Sequence, residues 1–250
     1  MAAVVVLVAV GGAAANDRPA TTAAPTSAIP AVGDLSWPVV GYQCTGTVIN
    51  TPKHDIVLTA AHCIDSLGVP LKPSSFAPGY DPDSKDPTPY GSWNVKGAYR
   101  MPNRGGVFSR NPDADLALLV IAKNSQGKNI QDVVGAQDYQ LNAPIGSQIS
   151  AIGYPTATGN KPYYCSTGTT THKVSGHKDE FQADCGKAYG DGVSGSAFMT
   201  NYDTTTHHGT VVAEVGGDND GGDTSGELTY GLRLDNDFKK FLDDVLSTKG

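Results

Sequence analysis

Thr45-Gly46-Thr47-Val48-Ile49 and Ile56-Val57-Leu58-Thr59 decide the fold class. Each is a β-branched or apolar run too short for a helix, and Asn50, Pro52 and Asp55 between them are turn formers. The pattern recurs at Leu116 to Ala122 and Gln148 to Ile152, and again at Gly195 to Thr200, Thr210 to Val215 and Leu228 to Leu234. Turn-rich stretches, notably 70–91 and 216–226, separate these runs. Strands never alternate with helical periods, which argues against a parallel α/β sheet. One helix signal stands apart. Phe238, Phe241, Leu242 and Val245 fall at i, i+3, i+4 and i+7, with Asp235 or Asn236 as the N-cap. The chain reads as all-β with a C-terminal α-helix.

Composition agrees. Thirty Gly and 16 Pro in 250 residues favour many turns over long helices. With 39% hydrophobic and 17% charged residues the chain is too apolar for disorder and long enough for a large core. A net charge of −7 with no Lys/Arg cluster weighs against a nucleic-acid partner, since phosphate backbones would be repelled. Ala2 to Val10 is apolar but too short to span a bilayer, and it runs into Gly11-Gly12-Ala13-Ala14-Ala15. Residues 1–15 therefore read as a secretory signal, and the Ala-, Thr- and Pro-rich residues 16–33 as a pro-segment or linker outside the fold. No later segment reads as a membrane span. Cys44, Cys63, Cys165 and Cys185 lack metal-site spacing, and an even count in an exported chain favours two bridges. Three pairings are open; the local one, Cys44–Cys63 and Cys165–Cys185, puts one staple in each half.

Three short motifs carry chemistry. Thr59-Ala60-Ala61-His62-Cys63 sets a histidine after a buried strand and beside a cysteine that restricts its loop, as a general base requires. Asp113-Ala114-Asp115-Leu116-Ala117-Leu118-Leu119 opens an apolar strand with carboxylates that can accept from an imidazole N–H. Gly190-Asp191-Gly192-Val193-Ser194-Gly195-Ser196 places a serine among glycines, where the backbone can turn sharply and aim N–H groups at an oxyanion. Histidine, aspartate, serine is the chain order of one known catalytic triad. Any one motif alone reads as ordinary turn or strand-end material. The ordered set does not.

With these residues the sequence resembles the chymotrypsin-like serine peptidases, most closely the bacterial glutamyl-endopeptidase branch and the secreted trypsin-like peptidases of actinobacteria and fungi. Cys44-Thr45-Gly46-Thr47-Val48, Ile152-Gly153-Tyr154-Pro155 and Asn236 to Leu242 extend the likeness over roughly residues 33–248. The resemblance implies two six-stranded antiparallel β-barrels, at 34–140 and 141–250, with the active site between them. It also implies Ser194 as nucleophile, His62 as base, Asp115 (with Asp113 as runner-up) orienting the imidazole, and the amides of Gly192 and Ser194 as oxyanion hole. Such an enzyme would be a secreted, monomeric endopeptidase acting on protein or peptide substrates without a metal or other cofactor. The alternative is a catalytically inactive binding or adhesion module of the same fold, though no triad member or oxyanion glycine is missing here.

The departures concern activation and specificity. Val193 precedes the nucleophile where trypsin-type zymogens carry Asp, and no Ile-Val-Gly-Gly start occurs, so a removable pro-segment is the expected control. Ala197 stands where the family usually has Pro. Ala188, six residues before Ser194, removes the acidic pocket floor of trypsin. Glu214, Val215 and Gly216 resemble the pocket-wall strand. There a carboxylate would disfavour acidic side chains and attract Lys or Arg, unless Glu214 faces solvent or pairs with Arg233. The acidic loop 218–223 reads as a solvated turn in preference to a calcium site, and His207-His208 as a hairpin tip.

Overall fold

A computed structural model describes residues 23–37, 43–66, 69–106 and 110–248. The signal expected at 1–15, and the first part of the segment expected at 16–33, lie outside the described residues.

Six antiparallel strands close the first barrel, in the order Val32–Ser36, Cys44–Val48, Ile56–Ala60, Leu116–Ile121, Trp93–Arg100 and Ser75–Pro78. A second antiparallel ring runs through Tyr163–His172, Gln148–Gly153, Ala197–Asp203, His208–Val215, Leu228–Arg233 and Glu180–Asp184, closing where Glu180–Asp184 pairs with Tyr163–His172. The all-β reading and both six-stranded barrels hold. The Asn236–Ser247 helix follows, with Phe238, Phe241, Leu242 and Val245 buried as their spacing requires. Asp235 is the N-cap: its Oδ1 accepts from the amides of Asp237 and Phe238 at 2.9 and 3.1 Å.

Two central strands show why the apolar runs are unbroken. Every residue of Ile56–Ala60 and Leu116–Ile121 is buried. Side chains alternate across a strand, so one set points into the barrel and the other outward. Val57, Ala117, Leu119 and Ile121 join the first barrel's interior with Phe76 and Trp93. Ile56, Leu58, Leu116, Leu118 and Val120 instead join a cluster with Ile152, Met199, Leu232 and the helix residues Phe238 and Leu242. That cluster fastens the barrels together and leaves the cleft between them as the open part of their boundary.

The expectation that residues 16–33 stay outside the fold is corrected from Ala23 onward. Ala24 and Pro25 pair with Tyr164 and Tyr163 of the second barrel, Ile29 is 2% exposed in the inter-barrel cluster, and Val32 opens a strand of the first barrel. Ala and Pro gave this stretch a linker's composition, but Ala23, Ile29 and Val32 are the apolar contacts that anchor it.

Candidate active site

Strand register brings His62 and Asp115 together. Ala60 lies opposite Leu116 in the sheet, and the next backbone bond runs from the Ala61 amide to the Asp115 carbonyl at 3.1 Å. Beyond that point the chain turns into a 3-10 helix, His62–Ile64, and a second one, Pro112–Ala114, delivers Asp115 from the other side. Asp115 then holds His62 twice: one carboxylate oxygen accepts from the backbone N–H and the other meets Nδ1, both at 2.8 Å. The Gly217 amide donates to the same carboxylate at 3.0 Å, and the Arg104 guanidinium lies 3.2 Å away. Three hydrogen bonds and the Arg104 charge thus surround a fully buried carboxylate. The alternative acid, Asp113, is turned away; it accepts from the Lys178 amide and contacts His177.

The serine comes from the second barrel but is fixed by the first. The Thr45 amide donates to the Ser194 carbonyl at 2.8 Å, and the Thr45 hydroxyl donates to the Gly192 carbonyl at 3.0 Å. Gly195 has a φ of +85°, and a Cβ there would stand 2.2 Å from the Thr45 carbonyl oxygen. Only glycine allows so close an approach of the two backbones. Gly192, at φ +97°, has the same requirement, since its Cβ would meet the Tyr154 carbonyl at 2.5 Å. The amides of Val193, Gly195 and Ser196 are taken by Gly190, Val215 and Val193 carbonyls, whereas those of Gly192 and Ser194 have no internal partner among the described residues. His62, Gly192 and Ser194 line one cavity of about 460 Å³. Cys44–Cys63 bridges the strand that fixes Ser194 to the turn that carries His62, and Cys165–Cys185 staples the second barrel.

Electrostatics tune the pair. Burial works against protonated His62, but the charge and hydrogen bond of Asp115, helped by Asp220, outweigh it and raise the imidazole pKa. Burial likewise opposes ionised Asp115, yet His62, Arg104 and the Gly217 amide hold its pKa below the usual carboxylate range. Asp220 Oδ1 lies 3.8 Å from His62 Nδ1 and is itself bound by Arg104 at 3.5 Å and Arg110 at 3.1 Å. His62, Asp115 and Asp220 are close enough to suggest a metal site, but the Arg104 guanidinium sits between the two carboxylates.

The expected specificity residues fare differently. Val215 lines the cavity, but Ala188, Glu214 and Gly216 do not. Glu214 neither faces solvent nor meets Arg233: it is fully buried with both oxygens unpartnered among the described residues. Sheet alternation turned it inward, behind Asp115, when it was expected in the pocket wall. Asp191, Asp220 and Asp223 do line the cavity, and among the described residues no Lys or Arg does. The 218–223 loop gives each carboxylate a separate partner: Asp218 meets His172, Asp220 the two arginines, and Asp223 its own turn. Arg104 was not legible as a site residue, being isolated in sequence, and Thr45 and Asp220, though they lie in stretches singled out above, reach the centre only through the fold.

The sequence matches the trypsin family over residues 19–226. The chain belongs to the trypsin family. It is a serine endopeptidase with the family's two-barrel architecture. Among solved structures it is similar to the protease Anisep from Arthrobacter nicotinovorans, with TM-score 0.70, 20% identity, and coverage of 88% of this chain and 96% of that one. The thermostable serine protease AL20 from an extremophilic microorganism gives TM-score 0.71, 20% identity and coverage of 88% and 98%. A Glu endopeptidase in complex with MPD gives 0.68, 18%, and coverage of 90% and 96%. At these identities the likeness is one of fold. No curated protein matches the sequence. Among the described residues, no helix of this trypsin-family chain is long and apolar enough to cross a membrane.

Proposed function

We propose that this serine endopeptidase cleaves peptide bonds through Ser194, His62 and Asp115, and that it is secreted and favours substrates with Lys or Arg at the cleavage site. His62 Nε2 takes the Ser194 hydroxyl proton as the oxygen attacks the peptide carbonyl, and Asp115 stabilises the imidazolium that forms. The free N–H groups of Gly192 and Ser194 receive the developing oxyanion. Proton return to the amine releases it and leaves an acyl-enzyme, which water hydrolyses by the same route.

The observation that carries this reading is the Asp115–His62 couple, opening onto the same cavity as Ser194 and two unoccupied backbone donors. Asp191 and Asp223 support a basic preference, because aspartates in a cavity that no Lys or Arg lines among the described residues disfavour an acidic side chain, while Asp220 is already paired with Arg104 and Arg110. Two disulfides support an oxidising, extracellular setting.

Reaction with a serine-directed fluorophosphonate, followed by mass mapping, tests the chemistry. A single adduct on Ser194, absent from Ser194→Ala and His62→Ala, is expected. No adduct on the folded, disulfide-intact protein would refute it. A peptide-library profile dominated by cleavage after Glu would overturn the specificity.

A further inference from the structure

Behind Asp115 lies a carboxyl that the catalytic steps do not use. Glu214 is fully buried, and neither oxygen has a hydrogen-bond partner among the described residues. The nearby Gly195 amide is spent on the Val215 carbonyl at 2.8 Å. Ala197 and Leu232 flank Glu214 across the sheet. A Cβ on Gly216 would come within 2.9 and 3.1 Å of the two Glu214 oxygens and 3.2 Å of the Asp115 carbonyl, which locates the carboxyl directly beside the residue that holds His62.

The ionisable groups around this space are mostly acidic. Asp115 acts on Glu214 from the start of Leu116–Ile121, and Glu180 from the Glu180–Asp184 strand. Further out, Asp218 and Asp113 act on Glu180, and Asp220 acts on His62. Among the described residues Arg104 is the cation that acts on Glu214, and it is already shared between Asp115, Asp220 and the Asn111 carbonyl. Among the described residues a charge on Glu214 would be offset only by the shared Arg104 guanidinium and the Gly195 amide, a costly state for a buried group. Burial, with the charges of Asp115 and Glu180 adding to it, outweighs these two and holds the Glu214 pKa well above the carboxylate range, and Glu180 beside it is pushed up to about 8.

We propose that Glu214 is a positioning residue that works only as a neutral acid, and that its ionisation unseats Asp115 from His62 and sets the upper pH limit of the site. The inference rests on the catalytic reading above. A negative Glu214 repels the Asp115 carboxylate across the Gly216 backbone. Either Asp115 moves or water enters, and both weaken the two 2.8 Å bonds that orient the imidazole.

Two measurements test it. The first compares wild type with Glu214→Gln, which keeps the shape and cannot ionise. Wild-type kcat/KM is expected to fall about tenfold or more between about pH 7 and pH 10, while the variant's ratio between the same two pH values stays within about twofold of one. The second follows the infrared carbonyl band of protonated carboxylic acids in folded protein that keeps Glu214 but carries Glu180→Gln and Asp34→Asn, so that the other two raised acids do not contribute. A band should remain at neutral pH and titrate away over the range in which kcat/KM falls, a comparison that needs no Glu214 variant to fold. An equal alkaline fall in wild type and Glu214→Gln, or a band that is absent at neutral pH or persists through the fall, overturns the proposal. Absence of any fluorophosphonate adduct at Ser194 would instead refute the catalytic reading, and the band would still report whether Glu214 is neutral.

Discussion

At the scale of single residues, the site is a balance of charges around His62. Asp115 and Asp220 raise its proton affinity, while burial and Arg104 lower it. In the proposed mechanism only neutral His62 accepts the serine proton, so a higher imidazole pKa moves the acid limb of kcat/KM to higher pH. Asp220→Asn removes one of the raising charges and leaves the 2.8 Å Asp115 bonds in place. Its acid limb is expected at lower pH than that of the wild type, with a modest change in the plateau. An acid limb at the same pH in both proteins would mean that Asp220 is screened from the imidazole. Arg104 acts in the opposite sense, and it is 3% exposed against a fully buried carboxylate. Removing a partner from such a buried pair costs on the order of 3–5 kcal/mol. Arg104→Leu should therefore both raise the acid limb and lower the urea midpoint.

At the scale of elements, the sequence signals that succeeded are those with a local cause. The terminal helix was marked by its i, i+3, i+4, i+7 apolar positions and its acidic cap, because both depend on residues a turn apart. Asp235→Ala should cost about 1 kcal/mol, the usual worth of an N-cap, read as a lower thermal midpoint with the active site intact. The central strands were marked by β-branched and apolar runs. Val32–Ser36, Ser75–Pro78, Trp93–Arg100, Tyr163–His172 and Glu180–Asp184 carried no such mark. Tyr163–His172 is mostly Ser, Thr and Gly, with only Cys165 and Thr169 buried among its ten residues. Ser75–Pro78 lies in a stretch that reads as turns, yet its pairing with Val32–Ser36 closes the barrel. These strands are held by neighbours distant in sequence, so their own composition did not have to encode extension.

At the scale of the whole molecule, buried acids shape the response to pH. Glu214 is held well above its ordinary value, Glu180 is raised to about 8 and Asp34 to about 7, chiefly by burial. Groups shifted upward contribute stability that is complete below their unfolded values and lost as pH rises through the folded ones. The unfolded references are 4.5 for the glutamates and 3.8 for Asp34, so the loss begins near pH 4 and is largely complete by about pH 8 for Glu180 and Asp34. His62, also shifted upward, adds a loss above its ordinary value of 6.5. Asp115, shifted downward, contributes above 3.8 and is lost on acidification. Together they place maximal stability on the acid side of neutrality. A urea midpoint higher at about pH 5 than at about pH 8 is expected, and the reverse order would mean that these carboxyls are already ionised at neutral pH.

The class of fold and the terminal helix were legible in the sequence, as were the residues of the proposed site, His62, Asp115, Gly192 and Ser194. Each of these is written in local pattern: short β runs, a helical period, and motifs of a few residues whose glycines and cysteines constrain the backbone around a reactive side chain. The tertiary structure alone decided which residues surround them. It joined Asp115 to His62 through a strand register 53 residues apart, and it brought Thr45 to the serine turn and Arg104 to the buried aspartate. It also moved Glu214 from the pocket wall to the space behind the His62–Asp115 pair. Side-chain direction in a closed barrel depends on register and on what covers each face, and both are set by strands far apart in the chain.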